Sequence, residues 1–321
     1  RDPYLVFLKA KIGYMTGDTR TAIEGYHAAL RLFKKEKNQG GELNCLKEIG
    51  FHHSFCGDFI KARNSLTDLL SRLSTHHELK VSVLGVLSRV SSFLGDIDAA
   101  DKYLNAAYET VSLIRGQEKP YVEAFLNLHQ SARDICKGDF EKAKSAASDA
   151  KEISRKIHFA ALLPPAYYQM AHACYFLGDY RSGYETAKAG VIEADRMGVK
   201  DSLYALPLHG VALNALGLDK VSEALKLGEE ALRLFQSANN QNGVAATYHM
   251  LCQAHIKNDD MDEAFKAIRL GLDAVGDLSL PYAGSALLID LAALRIKASD
   301  YEGVNEIIDR VAESIPASKY E

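Results

Sequence analysis

Three residues with metal-binding side chains lie close together in the last third of the chain. They are His249, Cys252 and His255, and imidazole and thiolate groups are ligands that zinc prefers. Residues three apart in a helix share a face, but a third residue three further on has rotated well away from the first. The spacing therefore favours Cys252 as a core residue, and we expect no bound metal.

The sequence also lacks the common motifs of catalysis. It contains no GxSxG, HExxH or GxGxxG pattern, no EF-hand loop and no GxxxxGK[ST] phosphate loop. Because no set of acid, base and nucleophile converges in it, we expect a binding protein rather than an enzyme, and one without a cofactor.

Composition and charge narrow the class of partner. Of the 321 residues, 47% are hydrophobic and 25% are charged, as in a globular protein with a large core. The net charge of −4 lacks the basic excess that phosphate backbones attract, so direct binding of nucleic acid is not expected. No apolar run approaches the roughly 18 to 20 residues of a membrane span. The five scattered cysteines form no CxxC pair, which favours a soluble protein of the reducing cytoplasm.

A short phrase recurs about every forty residues along the whole chain. It begins with Gly-Asp or a near equivalent, and a small residue follows, usually five positions after the first residue. The copies begin at Gly17, Gly57, Gly95, Gly138, Gly178, Gly217, Asp259 and Ser299, with the small residues Ala22, Ala62, Ala100, Ala143, Gly183, Ala224, Ala264 and Val304. Glycine adopts the left-handed conformation that ends one helix, aspartate caps the next helix, and the small residue lets the two helices approach closely.

Between successive copies of the phrase the apolar residues follow a helical period, as in the stripe of Ala22, Ile23, Tyr26 and Ala29. We predict an all-α protein of sixteen helices in eight hairpins, with breaks near residues 38–41, 116–120, 164–165 and 239–242. Because one hairpin is too small to bury its own apolar face, neighbours must stack. The prediction is a single superhelical solenoid over residues 1–321, with the first helix of each hairpin on the concave side.

The repeats resemble the tetratricopeptide repeat (TPR). With each opening glycine at repeat position 15, Leu46, Ile49 and Gly50 of repeat 2 occupy the positions of that family's Trp, Leu and Gly. Alanine recurs at position 20, and at position 27 it is found as Ala29, Ala107, Ala150 and Ala231. The resemblance implies a right-handed superhelix. The period near 40 rather than 34 residues is similar to that of long-repeat proteins such as kinesin light chain and the peptide-sensing Rap-type regulators.

The N-terminal residues add a narrower resemblance. Asp2-Pro3-Tyr4-Leu5 runs into Gly17-Asp18 and then residues 28–33, which looks like the start of the sensor solenoid in MalT-like activators of the LuxR family. In that family an NTP-binding module precedes the solenoid and a helix-turn-helix domain follows it. The resemblance implies a sensor that binds a small molecule or a regulatory protein and thereby controls its parent protein in transcription regulation. Because the chain has no initial methionine, we expect it to be a piece of a longer protein.

The concave face is where repeat proteins usually bind, and repeat positions 2, 5, 9 and 12 of each first helix are predicted to face it. In repeats 5 to 7 these positions carry aromatic, amide and imidazole groups, which suit a sugar, a peptide or another small polar ligand. The predicted ligand-binding residues are Tyr168, His172, Tyr175, Tyr204, Asn214, His249 and Gln253. In repeats 1 to 3 the positions include cations, which favour an acidic segment or a carboxylate. That predicted set is Lys11, Tyr14, Asn44, Lys47, Phe51 and Arg89, whereas repeat 4 is apolar at these positions.

Two functions are open at this point. The first is the regulatory sensor of a MalT-like activator. The second is a free-standing scaffold that binds a peptide or a partner helix in its groove.

Overall fold

The computed structural model describes residues 2–15, 18–73, 76–198, 202–276 and 281–314. Within these ranges the chain forms sixteen α-helices and one short 3-10 turn, Ala160–Leu162, without any strand. The helices are α1 (Pro3–Met15), α2 (Thr19–Lys35), α3 (Gln39–Cys56), α4 (Phe59–Ser71), α5 (His77–Phe93), α6 (Ile97–Val111), α7 (Lys119–Lys137), α8 (Phe140–Lys156), α9 (Leu163–Phe176), α10 (Tyr180–Arg196), α11 (Ser202–Gly217), α12 (Val221–Ser237), α13 (Gln241–Lys257), α14 (Met261–Val275), α15 (Pro281–Lys297) and α16 (Val304–Ser314). They pack in chain order as hairpins, which confirms the predicted all-α solenoid. None of these described helices is long and apolar enough to cross a membrane.

The recurring phrase forms the connection within each hairpin. Where its first residue is a described glycine in repeats 2 to 5, that glycine has a φ between 74° and 88°, in the left-handed region. The aspartate of the phrase then caps the next helix through a hydrogen bond from a backbone N–H three residues further on. This bond is present at Asp18, Asp58, Asp96, Asp179 and Asp260. Gly17, which opens the first copy, lies outside the described residues.

The sixth copy of the phrase departs from the prediction. Gly217 is still the last residue of α11, and the left-handed residue is Asp219, with a φ of 57°. Lys220 then stands at the N-cap of α12. The true position 15 of this repeat is therefore Asp219, so every predicted groove position in α11 was wrong by two residues.

The break predicted at residues 164–165 also lies elsewhere. Pro164 and Pro165 belong to the first turn of α9, where the missing N–H of proline leaves no helical hydrogen bond unmade. The chain turns before them, at residues 157–159, where His158 has a φ of 55°.

Small residues allow the helices to cross closely. The alanines at position 20 of six repeats are fully buried; they are Ala22, Ala62, Ala100, Ala143, Ala224 and Ala264. Repeat 5 has Gly183 instead, and a Cβ at this residue would lie 2.1 Å from Oδ1 of Asn214. The Asn214 side chain thus fills the space that an alanine methyl group takes in the other repeats.

The superhelix closes on itself. Helix α3 of repeat 2 contacts α13 of repeat 7, and Leu43 and Ala245 belong to one buried apolar cluster. At the same junction the Asn239 side-chain amide lies 3.9 Å from Sγ of Cys56. The rings of Phe93 in α5 and Tyr282 in α15 are 6.5 Å apart between centroids. The repeats therefore surround a central cavity instead of leaving an open groove.

Enlarging a position-20 alanine tests the helix crossings. Ala62→Leu or Ala143→Leu should lower the free energy of unfolding by about 1 to 3 kcal/mol, because the added methylenes have no space in the crossing. Ala293→Leu, on the exposed side of α15, should be nearly neutral. The measurement is urea unfolding followed by circular dichroism, and equal effects at buried and exposed sites would contradict the described packing.

Candidate functional site

The central cavity has a volume of about 1310 Å³. The first helices of repeats 2 to 8 line it, together with Tyr14 from α1. Aromatic side chains form much of the wall; they are Tyr14, Phe51, Phe55, Phe59, Phe93, Phe125, Tyr168, Tyr175, Phe176, Phe235 and Tyr282. A cavity of this size, apolar with a few polar groups, can take a small organic ligand or a short peptide.

The cavity crosses the first helices obliquely. In repeats 2 and 3 it is lined by positions 9 and 12, near the C-terminal ends of the helices, as by Arg89 and Ser92. In repeats 4 and 5 all four groove positions line it. In repeats 7 and 8 only positions 2 and 5 do so, as Ala246 and His249 do in α13. The lining zone thus moves along the helices from one end of the superhelix to the other.

Four of the seven residues in the predicted ligand-binding set line the cavity. They are Tyr168, His172, Tyr175 and His249. Gln253 occupies position 9 of repeat 7, beyond the lining zone, and its Nε2 lies 3.4 Å from Nε2 of His249. Gln253 can therefore orient His249 without lining the cavity itself.

The structure places Tyr204 and Asn214 inside the core rather than at the cavity. Tyr204 packs in a cluster that includes Leu208 and Phe235. Asn214 is fully buried and donates hydrogen bonds to the carbonyl oxygens of Ala171 and Gly210, at 3.1 and 2.9 Å. Both predictions failed because the register of α11 was displaced by two residues. In the correct register, the cavity-lining groove residues of this helix are Leu206, His209 and Leu213.

The predicted cationic set divides in the same way. Tyr14, Phe51 and Arg89 line the cavity, whereas Lys11, Asn44 and Lys47 do not. Both lysine ammonium groups lie near Oε1 of Glu48, Lys47 at 2.8 Å and Lys11 at 3.9 Å. Asn44 is exposed. Asn44 and Lys47 occupy positions 2 and 5 of repeat 2, before the lining zone of that helix begins, and Lys11 of repeat 1 is exposed. Arg89 is therefore the one cation of the predicted set that lines the cavity.

Two cavity histidines were missed by the sequence analysis. His209 was hidden by the register error in α11. His129 lies between the apolar groove positions of repeat 4, and its ring meets Phe125 edge to face at 4.4 Å between centroids. The sequence did contain a signal for His129. An aromatic residue precedes this histidine by four positions, and the same spacing recurs between Tyr168 and His172 in α9.

Burial favours the neutral forms of two of the cavity histidines, His172 and His209. It lowers the pKa of His172 to about 4, with a contribution from nearby His249, and the pKa of His209 to about 3. The His172 ring stacks on Tyr168 at 5.4 Å between centroids. Burial also raises the pKa of the Tyr168 hydroxyl. These groups therefore offer neutral hydrogen-bonding atoms and ring faces rather than charges to a ligand.

His249 and Asp290 form a hydrogen-bonded pair at 2.6 Å between Nδ1 and Oδ2. Such a pair can orient a catalytic histidine, but a nucleophile must also be activated. The nearby thiol of Cys252 is fully buried, and burial raises its pKa to about 12, with a further contribution from Asp290. Among the described residues no group of three His, Cys, Asp or Glu side chains is arranged to hold a metal ion.

The architecture is similar to that of repeat proteins of known structure. A signal transduction ATPase with numerous domains (STAND) from Pyrococcus horikoshii, which has a tetratricopeptide-repeat sensor, gives a TM-score of 0.56 at 17% identity. A Rap protein complexed with Competence and Sporulation Factor gives 0.62 at 14% identity, and the match covers 97% of each chain. NprR in complex with its cognate peptide NprX gives 0.59 at 13% identity, over 86% of this chain and 80% of that one.

These likenesses show the fold, which is a TPR-like helical solenoid. The match to the STAND ATPase covers 98% of this chain but 47% of that one, so this chain spans about half its length. No protein-family model and no curated protein matches the sequence.

Acid should destabilise the fold through the buried histidines. In the unfolded chain a histidine titrates near pH 6.5, whereas folded His172 titrates near pH 4, so the unfolded state binds more protons between these values. Stability that is present above pH 6.5 is therefore lost as the pH falls towards 4. His172→Phe should remove on the order of 2 kcal/mol of this loss at pH 4.5.

The measurement is urea unfolding of each variant at pH 7 and pH 4.5. The matched control is His77→Phe, at an exposed histidine, which should keep the pH dependence of the wild type. If His172→Phe lost as much stability in acid as this control, His172 would not be a buried neutral group.

Proposed function

We propose that this chain is a TPR-like sensor region that binds an effector in its central cavity and thereby controls a longer MalT-like regulator. The observation that carries the proposal is the cavity of about 1310 Å³, lined by aromatic rings, imidazole groups and the half-buried guanidinium of Arg89. The solenoid is taken as one unit over residues 1–321, working in the cytoplasm, where its five free cysteines stay reduced. Its role is binding, without catalysis and without a cofactor.

The closed superhelix gives such a sensor a physical means of response. Repeats 2 and 3 meet repeats 7 and 8 through a junction that includes Leu43, Ala245 and the Asn239–Cys56 contact. An effector in the cavity contacts both sides of this junction at once. Binding would then favour the closed arrangement by the difference between its affinities for the closed and open states.

The outer face of α1 supports a contact with another part of the parent protein. Tyr4, Leu5, Leu8 and Ile12 lie on one side of this helix, and each is more than half exposed. Exposed apolar faces of this kind mark interaction surfaces. We propose that a neighbouring domain covers it, with NTP binding and DNA recognition assigned to the other domains of the parent chain. The solenoid's net charge of −4 accords with no direct contact with DNA.

A free-standing peptide-binding scaffold is the second candidate. The observation that favours it is the match to the Rap protein, which covers 97% of each chain. An NTP-binding domain encoded next to this segment in the same reading frame would favour the sensor, and a stop codon directly after Glu321 with no upstream domain would favour the scaffold.

Filling the cavity tests whether it is the effector site. Sugars, nucleotides, amino acids and short peptides would be screened by thermal shift, and an effector at a hundredfold excess over its Kd should add about 2.7 kcal/mol to the free energy of unfolding. Ala286→Trp places an indole in the cavity wall and should abolish that gain.

The matched control is Ala293→Trp, on the same helix but exposed and outside the lining. It should respond to the effector like the wild type. A panel that stabilises neither protein, or an effector whose gain survives Ala286→Trp, would count against the cavity as the sensing site.

A further inference from the structure

Arg89 is a half-buried cation in the cavity wall, and its Nε atom is itself buried. Its Nη2 donates a hydrogen bond to Oγ of Ser54 at 2.7 Å, and its Nε is buried without a hydrogen-bond partner. Among the described residues no carboxylate pairs with it, and burial lowers the pKa of its guanidinium. An unpaired buried charge is destabilising. An anion bound beside Arg89 would remove that cost.

The other charged residues of the lining lie towards solvent. Asp96, Asp98 and Lys137 are exposed, and Arg63 is half-buried. They form the rim of the cavity, where water screens their charges. Of the charged residues in the lining, Arg89 is the one with a buried side-chain nitrogen that lacks a hydrogen-bond partner among the described residues.

His129 adds a second group to the same wall. Both of its ring nitrogens are buried without a hydrogen-bond partner, and Arg89 is close enough to help burial lower its pKa. A neutral imidazole still has one N–H to donate. Gly85 makes room for this ring, since a Cβ there would lie 2.8 Å from Cδ2 of His129. Together the two side chains offer hydrogen-bond donors that have no partner in the described part of the protein, and neither side chain carries a negative charge.

Apolar rings stand next to these donors. Phe51 stacks on Phe125 at 6.2 Å between centroids, and Phe125 in turn meets His129 edge to face. Such a wall binds an apolar or aromatic body and excludes water from the charged contact, which strengthens a charge-assisted hydrogen bond.

We infer that Arg89 and His129 form an anion subsite of the cavity, which takes the carboxylate of an effector whose body is apolar or aromatic. The inference rests on the proposed function, because it names the chemistry of the effector in the same cavity. A short peptide with a free C-terminus and a free aromatic acid share this chemistry, and both would place the carboxylate on the guanidinium.

Two fluorescent probes with the same aromatic body test the charge. One is 8-anilinonaphthalene-1-sulfonate, and the other is uncharged N-phenyl-1-naphthylamine. The wild type should bind the sulfonate, and Arg89→Gln should weaken that binding by about tenfold or more while it changes the affinity for the uncharged probe by less than about twofold. Arg89→Lys should lose less, because it keeps the charge without the guanidinium fork.

Controls separate this subsite from folding and from exposed cations elsewhere on the surface. Arg115→Gln, at an exposed arginine outside the lining, should leave both affinities unchanged. Arg89→Gln should melt no lower than the wild type, since it removes an unpaired buried charge. Displacement of the sulfonate probe by 4-phenylbutyrate, or by a Phe- and Leu-rich pentapeptide with a free but not an amidated C-terminus, distinguishes an aromatic acid from a peptide as the source of the carboxylate.

The outcomes also separate this inference from the proposed function. If Arg89→Gln binds the sulfonate as tightly as the wild type, or if the wild type does not bind it, the anion subsite is wrong. The proposed function survives that result when the uncharged probe still binds and Ala286→Trp excludes it. If both probes bind Ala286→Trp unchanged, the cavity itself is not the binding site.

Discussion

The contact between repeats 2 and 3 and repeats 7 and 8 determines what the rest of the molecule can do. A solenoid of helical hairpins ordinarily presents a groove open to water. Histidines in such a groove are solvated, and an arginine there has no desolvation penalty. Here α3 meets α13, and the ring of Phe93 approaches that of Tyr282. The groove becomes a cavity, and the polar groups on its wall lose much of their water.

That loss of water explains the electrostatics of the cavity. Desolvation favours the neutral forms of His172 and His209, and the Nε of the half-buried Arg89 is left without a hydrogen-bond partner among the described residues. On an open face the same residues would make only weak contacts with a ligand, because water would screen their charges. In a cavity they discriminate between ligands, because each donor that a ligand leaves unmatched is costly. Closure of the superhelix and recognition of a ligand in the cavity therefore depend on each other.

The sequence predicted the fold well because the signal for it is local and repeated. Each Gly-Asp phrase specifies a helix end, a cap and a close crossing within a few residues, so an irregular copy such as the one at Gly217 does not obscure the architecture. It does displace the register of its own helix, which is why Tyr204 and Asn214 were assigned to the groove and His209 was missed. The oblique course of the cavity could not be predicted from the sequence, because it arises from the summed rotation of successive hairpins. Lys47 lies in the N-terminal half of α3, outside that course, and Lys11 is exposed on α1; both lie near Glu48.

Small-angle X-ray scattering of the protein without ligand tests the central claim, ring closure, most directly. If the superhelix is closed, the measured radius of gyration and pair-distance distribution should match those calculated for the closed arrangement. Ala245→Arg forces a long cation into the junction between α3 and α13. This variant should expand the particle, while circular dichroism shows that its helices are intact. A wild-type profile that requires separated ends, or one that Ala245→Arg leaves unchanged, would contradict closure and with it the desolvated cavity on which the proposed function rests.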